Sequence, residues 1–74
     1  MTSEEARAIA EQFVACLDMR GFAASYVETR KDDRRPGEWA TIFDVYSAQG
    51  TLVDGPMVII VDEKTRAARA FPSL

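Results

Sequence analysis

The sequence predicts an α+β fold in which one N-terminal helix packs on one face of a three- to four-stranded antiparallel meander sheet. Two observations support this prediction. Apolar residues recur with a helical period over residues 3–19, and after Gly21 the pattern changes to the alternation that is typical of strands. The 74 residues leave room for one domain with one small core, so we interpret residues 1–74 as a single domain.

The predicted helix has clear start and stop signals. Thr2 and Glu5 have the T-x-x-E spacing of a capping box, with Ser3 as an alternative N-cap, and Gly21 is the expected C′ residue. Cys16 flanks the core face, where we expect a small buried hydrophobic residue. The residues expected to cover the sheet are Ala6, Ile9, Ala10, Phe13, Val14 and Leu17.

Four later segments have strand patterns, separated by turn-forming residues. The second is apolar on both sides and is therefore expected to be central. In the connection before the third, Leu52 and Val53 are expected to point inward. The polar stretch 62–66 is predicted to be a hairpin loop. The predicted strands are residues 24–31, 38–47, 57–61 and 67–71.

The order of elements and the loop after the third strand carry a family resemblance. The segments SEEARAIAEQFV, EWATIFDVY and GPMVIIVDEKTRAAR resemble the helix-then-sheet domains of the PepSY type and of the Imm35 type of immunity protein. Those families have VD, two variable residues and TG before the last strand, where this chain has Arg66 in place of the glycine. The resemblance implies binding to another protein rather than turnover. Because the family glycine serves a positive φ, we expect either a left-handed Arg66 or another turn type.

The residue types argue against catalysis. The chain has no histidine, so its single cysteine and its serines lack the usual general base, and a Cys/His metal site is excluded. Adjacent acids such as Asp32 and Asp33 are interpreted as solvated turn residues. We therefore expect no enzyme activity, no cofactor and no metal.

Charge and hydropathy bear on the expected cellular location and on the expected class of partner. No apolar stretch is long enough to span a membrane, and the N-terminal residues lack the pattern of a secretory signal, which predicts a cytoplasmic protein. The net charge of −3 argues mildly against nucleic acid as a partner. The loop Arg30–Arg35 beside Trp39 nevertheless leaves a nucleic-acid-binding alternative open.

One helix can cover only one face of a sheet, so the other face is predicted to meet a second copy or a partner protein. The sequence therefore predicts a non-enzymatic protein-binding module of immunity or inhibitor type, whose partner is a toxin or an enzyme to be inhibited. An accessory subunit of a larger assembly is a further alternative, and a chain this small gains from forming a homodimer. The residues predicted to bind the partner are Arg30, Arg34, Arg35, Trp39, Ile42 and Tyr46.

Overall fold

The computed structural model describes residues 1–71 and has the predicted α+β architecture. The sheet is an antiparallel meander with strand order β1-β2-β3-β4, so β2 is internal, as predicted. Helix α1 contacts all four strands from one side. The elements are α1 Ser3–Ala15, β1 Ala23–Lys31, β2 Glu38–Tyr46, β3 Met57–Asp62 and β4 Ala68–Phe71.

The capping box predicted at the start of α1 is present. The hydroxyl of Thr2 accepts a hydrogen bond from the backbone N–H of Glu5 at 3.2 Å, and the Glu5 carboxylate accepts one from the N–H of Thr2 at 3.3 Å. Two of the backbone donors that a helix leaves without partners are satisfied in this way. Ser3 is the first helical residue rather than the cap.

The predicted end of the helix at residue 19 is wrong, because α1 ends at Ala15. Cys16 is the C-cap and is exposed, so the expectation of a buried cysteine is also wrong. Leu17 has the helical spacing of a core residue but is 37% exposed, and the Asp18 carboxylate accepts the N–H of Arg20 in a local turn. That side-chain bond offers the backbone an alternative to another helical turn. Gly21 has a φ of +89° but lies too far along the chain to be C′.

The core lies between α1 and the sheet. The third strand is the most buried, with Ile59 and Val61 both fully buried beneath the helix. Ile9, Phe13 and Val14 of α1 pack around this centre and keep partial exposure. The other buried residues of the covered side are Ala6, Ala10, Thr41 and Phe43.

Two local features were not predicted. The pairing of β1 with β2 shifts register between Tyr26 and Glu28, so Val27 forms a β-bulge. In the connection before β3, Leu52 is 56% exposed and Val53 is 36% exposed, so the expectation that they point inward is wrong. The segment runs back along the end of β2, with the N–H of Val53 bound to the Val45 carbonyl at 2.8 Å, instead of folding under the sheet.

Candidate functional site

The side of the sheet opposite α1 carries an apolar row that crosses three strands. Ile42 of β2 lies opposite Val58 of β3, and Val58 lies opposite Phe71 of β4. Ile42 and Val58 are partly buried, whereas Phe71 is 48% exposed. Side chains alternate between the two faces along a strand, so all three lie on the side that the helix leaves uncovered. We call this side of the sheet the open face.

A second row on the open face has charged residues at its ends and apolar residues at its centre. In the register of the sheet it runs from Arg30 through Ala40 and Ile60 to Arg69. Ile60 is only 6% exposed although α1 lies on the other side, because β2 and β4 flank it and their side chains exclude water. The open face is thus continuous and apolar in its middle.

Acids outnumber bases around this apolar centre. By the same alternation, the charged strand residues of the open face are Glu28, Glu38, Asp44, Asp62, Arg30 and Arg69. Four acids against two bases leave the face with a net charge of −2. The bases lie close to acids of the same face, since Arg30 contacts Glu28 at 2.6 Å and Arg69 contacts Glu38 at 3.4 Å. Among its strand residues, the rim is therefore acidic.

A depression of about 270 Å³ lies where the open face meets the β3–β4 hairpin. Its carboxylates are engaged by the chain itself. Glu38 binds the guanidinium of Arg69 and lies 3.9 Å from that of Arg35. The contacts of Glu38 with these two arginines therefore hold the side chains at the rim of the open face in place. Its lining residues are Glu38, Asp62, Thr65, Ala67, Ala68 and Arg69.

The segment between β3 and β4 is a hairpin loop, as predicted, and Asp62 organises it. The Asp62 carboxylate accepts the backbone N–H of Lys64 at 2.8 Å and that of Thr65 at 3.0 Å. The bonds from the N–H groups of Thr65 and Lys64 lower the pKa of Asp62 below its ordinary value of 3.8. Asp62 is therefore a loop-organising residue, which is the usual role of an aspartate in a turn.

Arg66 adopts a left-handed backbone conformation. The resemblance implies this conformation for the glycine that the similar families have at this position. The φ of Arg66 is +60°, which confirms one of the two outcomes expected from the sequence. Its guanidinium reaches the Glu5 carboxylate of α1 at 3.2 Å. This hydrogen bond is the main cause that lowers the pKa of Glu5 below its ordinary value of 4.5. Arg66 thus ties the hairpin to the start of the helix at the expense of backbone strain.

The six residues predicted to bind a partner lie in three places. Arg30, Ile42 and Tyr46 belong to the open face. Trp39 belongs to the covered face, where it packs against the core, and its indole N–H donates to the Glu63 carboxylate at 3.3 Å. That hydrogen bond is the main cause that lowers the pKa of Glu63 below its ordinary value of 4.5. The indole ring is therefore directed away from the surface formed by Ile42 and Tyr46.

Arg34 and Arg35 lie in the turn between β1 and β2, and both are exposed. The backbone N–H of Arg34 donates to the Asp32 carboxylate at 2.9 Å. Lys31 points to the covered side, with its ammonium group 5.7 Å from the centre of the Trp39 ring. The basic side chains of this region thus spread over two faces and a turn, and the structure does not bring them together with an exposed aromatic ring.

Two apolar residues of the open side were missed as site candidates. Tyr26 and Thr29 share a hydrogen bond of 2.8 Å and face the helix, so Val27 and Glu28 between them both lie on the open side. Val27 is 47% exposed there. Nothing in the residue pattern reveals the bulge that turns Val27 outward. Phe71 could have been assigned from the register alone, had the pairing of β3 with β4 been known.

Candidate metal ligands do not cluster in the part of the chain that the structure describes. Within residues 1–71, no group of three or more Cys, Asp or Glu residues comes close enough to hold a metal ion. Over the same residues, no helix is long and apolar enough to cross a membrane.

Comparisons with known proteins gave no match to a family model, to a curated protein or to a solved structure. The resemblance to PepSY-type domains and Imm35-type immunity proteins therefore stays a prediction.

Proposed function

We propose that this chain is a non-enzymatic protein-binding module of the immunity or inhibitor type, and that its open face binds the partner. The observation that carries the proposal is the apolar row of Ile42, Val58 and Phe71 on the side of the sheet that α1 leaves uncovered. Contiguous apolar surface on a small protein is a mark of an interaction site, because water leaves such a surface at a gain in free energy.

The charges of the open face define the chemistry of the partner. An apolar centre with a charged rim is the usual anatomy of a protein interface. Here the rim carries a net charge of −2, in a chain whose total charge is −3. The expected partner is therefore a protein with an apolar patch inside a basic rim, since opposite charges steer association and exclude wrong partners.

The chemistry of the side chains supports the non-enzymatic part of the proposal. The sequence has no histidine to act as a general base near neutral pH. The two carboxylates that line the depression at the hairpin make contacts within the chain. The carboxylate of Glu38 contacts arginine, and that of Asp62 accepts hydrogen bonds from backbone N–H groups. These contacts within the chain stabilise the fold.

A pair of lysine substitutions tests the proposal. Ile42→Lys places a positive charge inside the apolar row, whereas Gln12→Lys adds the same charge on an exposed part of α1. A partner is first identified by affinity capture on the full chain, and its purified form is then titrated by calorimetry against all three proteins. We expect Gln12→Lys to bind like the wild type and Ile42→Lys to bind about thirtyfold more weakly or worse, as at an interface hot spot. Equal affinity of all three proteins would exclude the open face as the binding site.

The activity of the purified partner separates an inhibitor from an accessory subunit. If the partner is an enzyme or toxin, the wild-type chain and Gln12→Lys are expected to inhibit it at equimolar concentration, and Ile42→Lys is not. Binding without any loss of partner activity would favour the accessory-subunit alternative. Circular dichroism of each variant checks that the fold is retained.

A further inference from the structure

The free edge of β1 is a second surface that the open face does not explain. β1 is the outer strand of the sheet and has nine residues, whereas the outer strand on the other side, β4, has four. An outer strand presents backbone donors and acceptors that can pair with another strand. Within residues 1–71, the edge of β1 is therefore the longer of the two edges that a further strand could join.

The backbone of β1 shows which residues face outward at this edge. The N–H of Asp32 donates to the Glu38 carbonyl of β2 at 3.1 Å. Backbone groups alternate in direction along an antiparallel strand, so Arg30 and Glu28 also turn their N–H and C=O groups toward β2. Thr29 and Lys31 turn their groups outward. The bulge at Val27 ends this regular segment, so Thr29 and Lys31 are its two outward-facing residues.

The charges of β1 select one arrangement for a second copy. We propose that two copies of this chain pair antiparallel through their β1 edges, with Thr29 opposite the partner's Thr29 on the two-fold axis. This register places Glu28 of each copy opposite Arg30 of the other, and both side chains lie on the open side. A register centred on Glu28, on Arg30 or on Lys31 would place like charges opposite each other, which destabilises a strand pair.

The proposed register agrees with the geometry of antiparallel pairs. Thr29 and its counterpart form a hydrogen-bonded pair, because both turn their backbone groups outward. The neighbouring Glu28 and Arg30 pairs are then of the non-hydrogen-bonded type, in which side chains approach most closely. Within one chain, Glu28 and Arg30 already contact each other at 2.6 Å and are well exposed. Pairing therefore joins two ion pairs into a ring of four alternating charges.

The dimer does not depend on the function proposed for the open face. The two-fold axis runs through the sheet, so both helices lie on one side and both open faces lie on the other. Phe71→Ala, which changes the open face on β4 at the other edge of the sheet, is expected to leave the dimer intact. Because the paired segment is short, we expect weak association that is measurable only at high protein concentration. Salt is expected to weaken it further by screening exposed charges.

Charge reversal at two positions tests the dimer. Glu28→Arg places two arginines opposite each other across the axis, and Arg30→Glu places two glutamates there. Sedimentation equilibrium on each full-length variant is expected to give a dissociation constant raised about tenfold or more, because two favourable cross-strand pairs become unfavourable. The double variant Glu28→Arg with Arg30→Glu restores opposite charges across the axis and is expected to dimerise like the wild type.

A mixture of the two single variants gives the decisive result. One chain then carries two arginines and the other two glutamates, so the mixed dimer has complementary pairs on both sides of the axis. Native mass spectrometry is expected to show one-to-one dimers in the mixture and monomers of each variant alone. A wild type that stays monomeric at every concentration overturns the proposal. A dimer that persists in both single variants overturns it as well, because association would then use another surface.

Discussion

The two faces of the sheet are built from the same strands, but one packs against α1 and the other is exposed to solvent. On the covered face, Ile59 and Val61 are fully buried beneath α1. On the open face, Val27 and Phe71 keep nearly half of their surface exposed to solvent. One 13-residue helix provides cover for only one side of a four-stranded sheet. Burial within the chain therefore explains the apolar residues of the first face and leaves Val27 and Phe71 of the second without a role in the monomer.

This difference separates residues that stabilise the fold from residues that are free to bind. A side chain that is already buried gains nothing from a partner, whereas a half-exposed one still has apolar surface to remove from water. The covered face should therefore determine the free energy of unfolding. The open face should determine the free energy of binding.

The largest expected difference in the free energy of unfolding comes from replacing one phenylalanine by alanine on each face. Phe43 on the covered face is 3% exposed, and Phe71 on the open face is 48% exposed. We expect Phe43→Ala to lower the free energy of unfolding by about 3–5 kcal/mol, because it leaves a cavity beneath the helix. Phe71→Ala is expected to cost about 1 kcal/mol or less, as at a surface position.

Urea denaturation followed by circular dichroism measures both values under the same conditions. If Phe43→Ala is too unstable to give a folded baseline, Ile59→Val provides a milder change on the same face, with an expected cost of about 0.5–1.5 kcal/mol. Equal costs for Phe43→Ala and Phe71→Ala would mean that the chain's own residues cover both faces.

A smaller effect is expected from a hydroxyl on the covered face. Thr41 is fully buried, and its Oγ1 has no hydrogen-bond partner among residues 1–71. Replacing a buried, unsatisfied polar group by an apolar group of the same shape removes a desolvation penalty. We therefore expect Thr41→Val to raise the free energy of unfolding by about 1 kcal/mol.

Thr29→Val is the matched control for Thr41→Val. Thr29 lies directly opposite Thr41 in the sheet, and its hydroxyl bonds to that of Tyr26 at 2.8 Å. Losing this bond is expected to lower the free energy of unfolding by about 0.5–1.5 kcal/mol. Changes of the same sign in both variants would show that strand propensity, and not hydrogen bonding, decides the outcome.

The sequence predicted those parts of the fold that depend on local patterns. The capping box at Thr2 and Glu5 and the alternation of β2 both rest on side chains close together in the chain. The end of α1 depended on tertiary contacts, because the helical period continues to Leu17 but the residue stays exposed. Leu52 was misplaced for the same reason. An apolar side chain is buried only where another element comes close enough to cover it.

The candidate site was predicted only in part, and again the reason is physical. Alternation along β2 puts Ile42 and Tyr46 on the face opposite Trp39, and this arrangement depends on one strand alone. The neighbours of Ile42 depend on how β2 pairs with β3 and β3 with β4, which a single sequence does not specify. The outward position of Val27 depends on a bulge, and its residues carry no glycine or proline to mark it.

The hairpin that joins β3 to β4 gives a third prediction, because Arg66 connects it to the covered side. A non-glycine residue in the left-handed region costs about 1–2 kcal/mol. Arg66→Gly relieves this strain, whereas Arg66→Ala keeps most of it, and both variants lose the contact with Glu5. We expect Arg66→Gly to be more stable than Arg66→Ala by about 1 kcal/mol in thermal unfolding. Equal stabilities would place the backbone of residue 66 outside the left-handed region in solution.

The smallest expected effect is the dependence of stability on pH. Glu5 and Glu63 have pKa values below their ordinary 4.5, and Asp62 has a pKa below 3.8. A carboxyl whose pKa is lower in the folded state than in the unfolded state stabilises the protein at higher pH. This contribution is complete above the unfolded value and is lost as the pH falls through the folded one. We therefore expect the free energy of unfolding to be level above pH 4.5 and to fall progressively below it.

Asp62→Asn sharpens the pH experiment, because its amide oxygen still accepts the N–H groups of Lys64 and Thr65 but does not titrate. Urea unfolding between about pH 2 and 7 is expected to give a shallower loss of stability for this variant below pH 3.8 than for the wild type. The effect should be modest, since solvent screens exposed carboxylates. Glu4→Gln, which removes an exposed acid from the first turn of α1, provides the control for the loss of one negative charge. If both variants change the pH profile equally, total charge explains the acid sensitivity; a change confined to Asp62→Asn assigns it to the hairpin that closes the covered face.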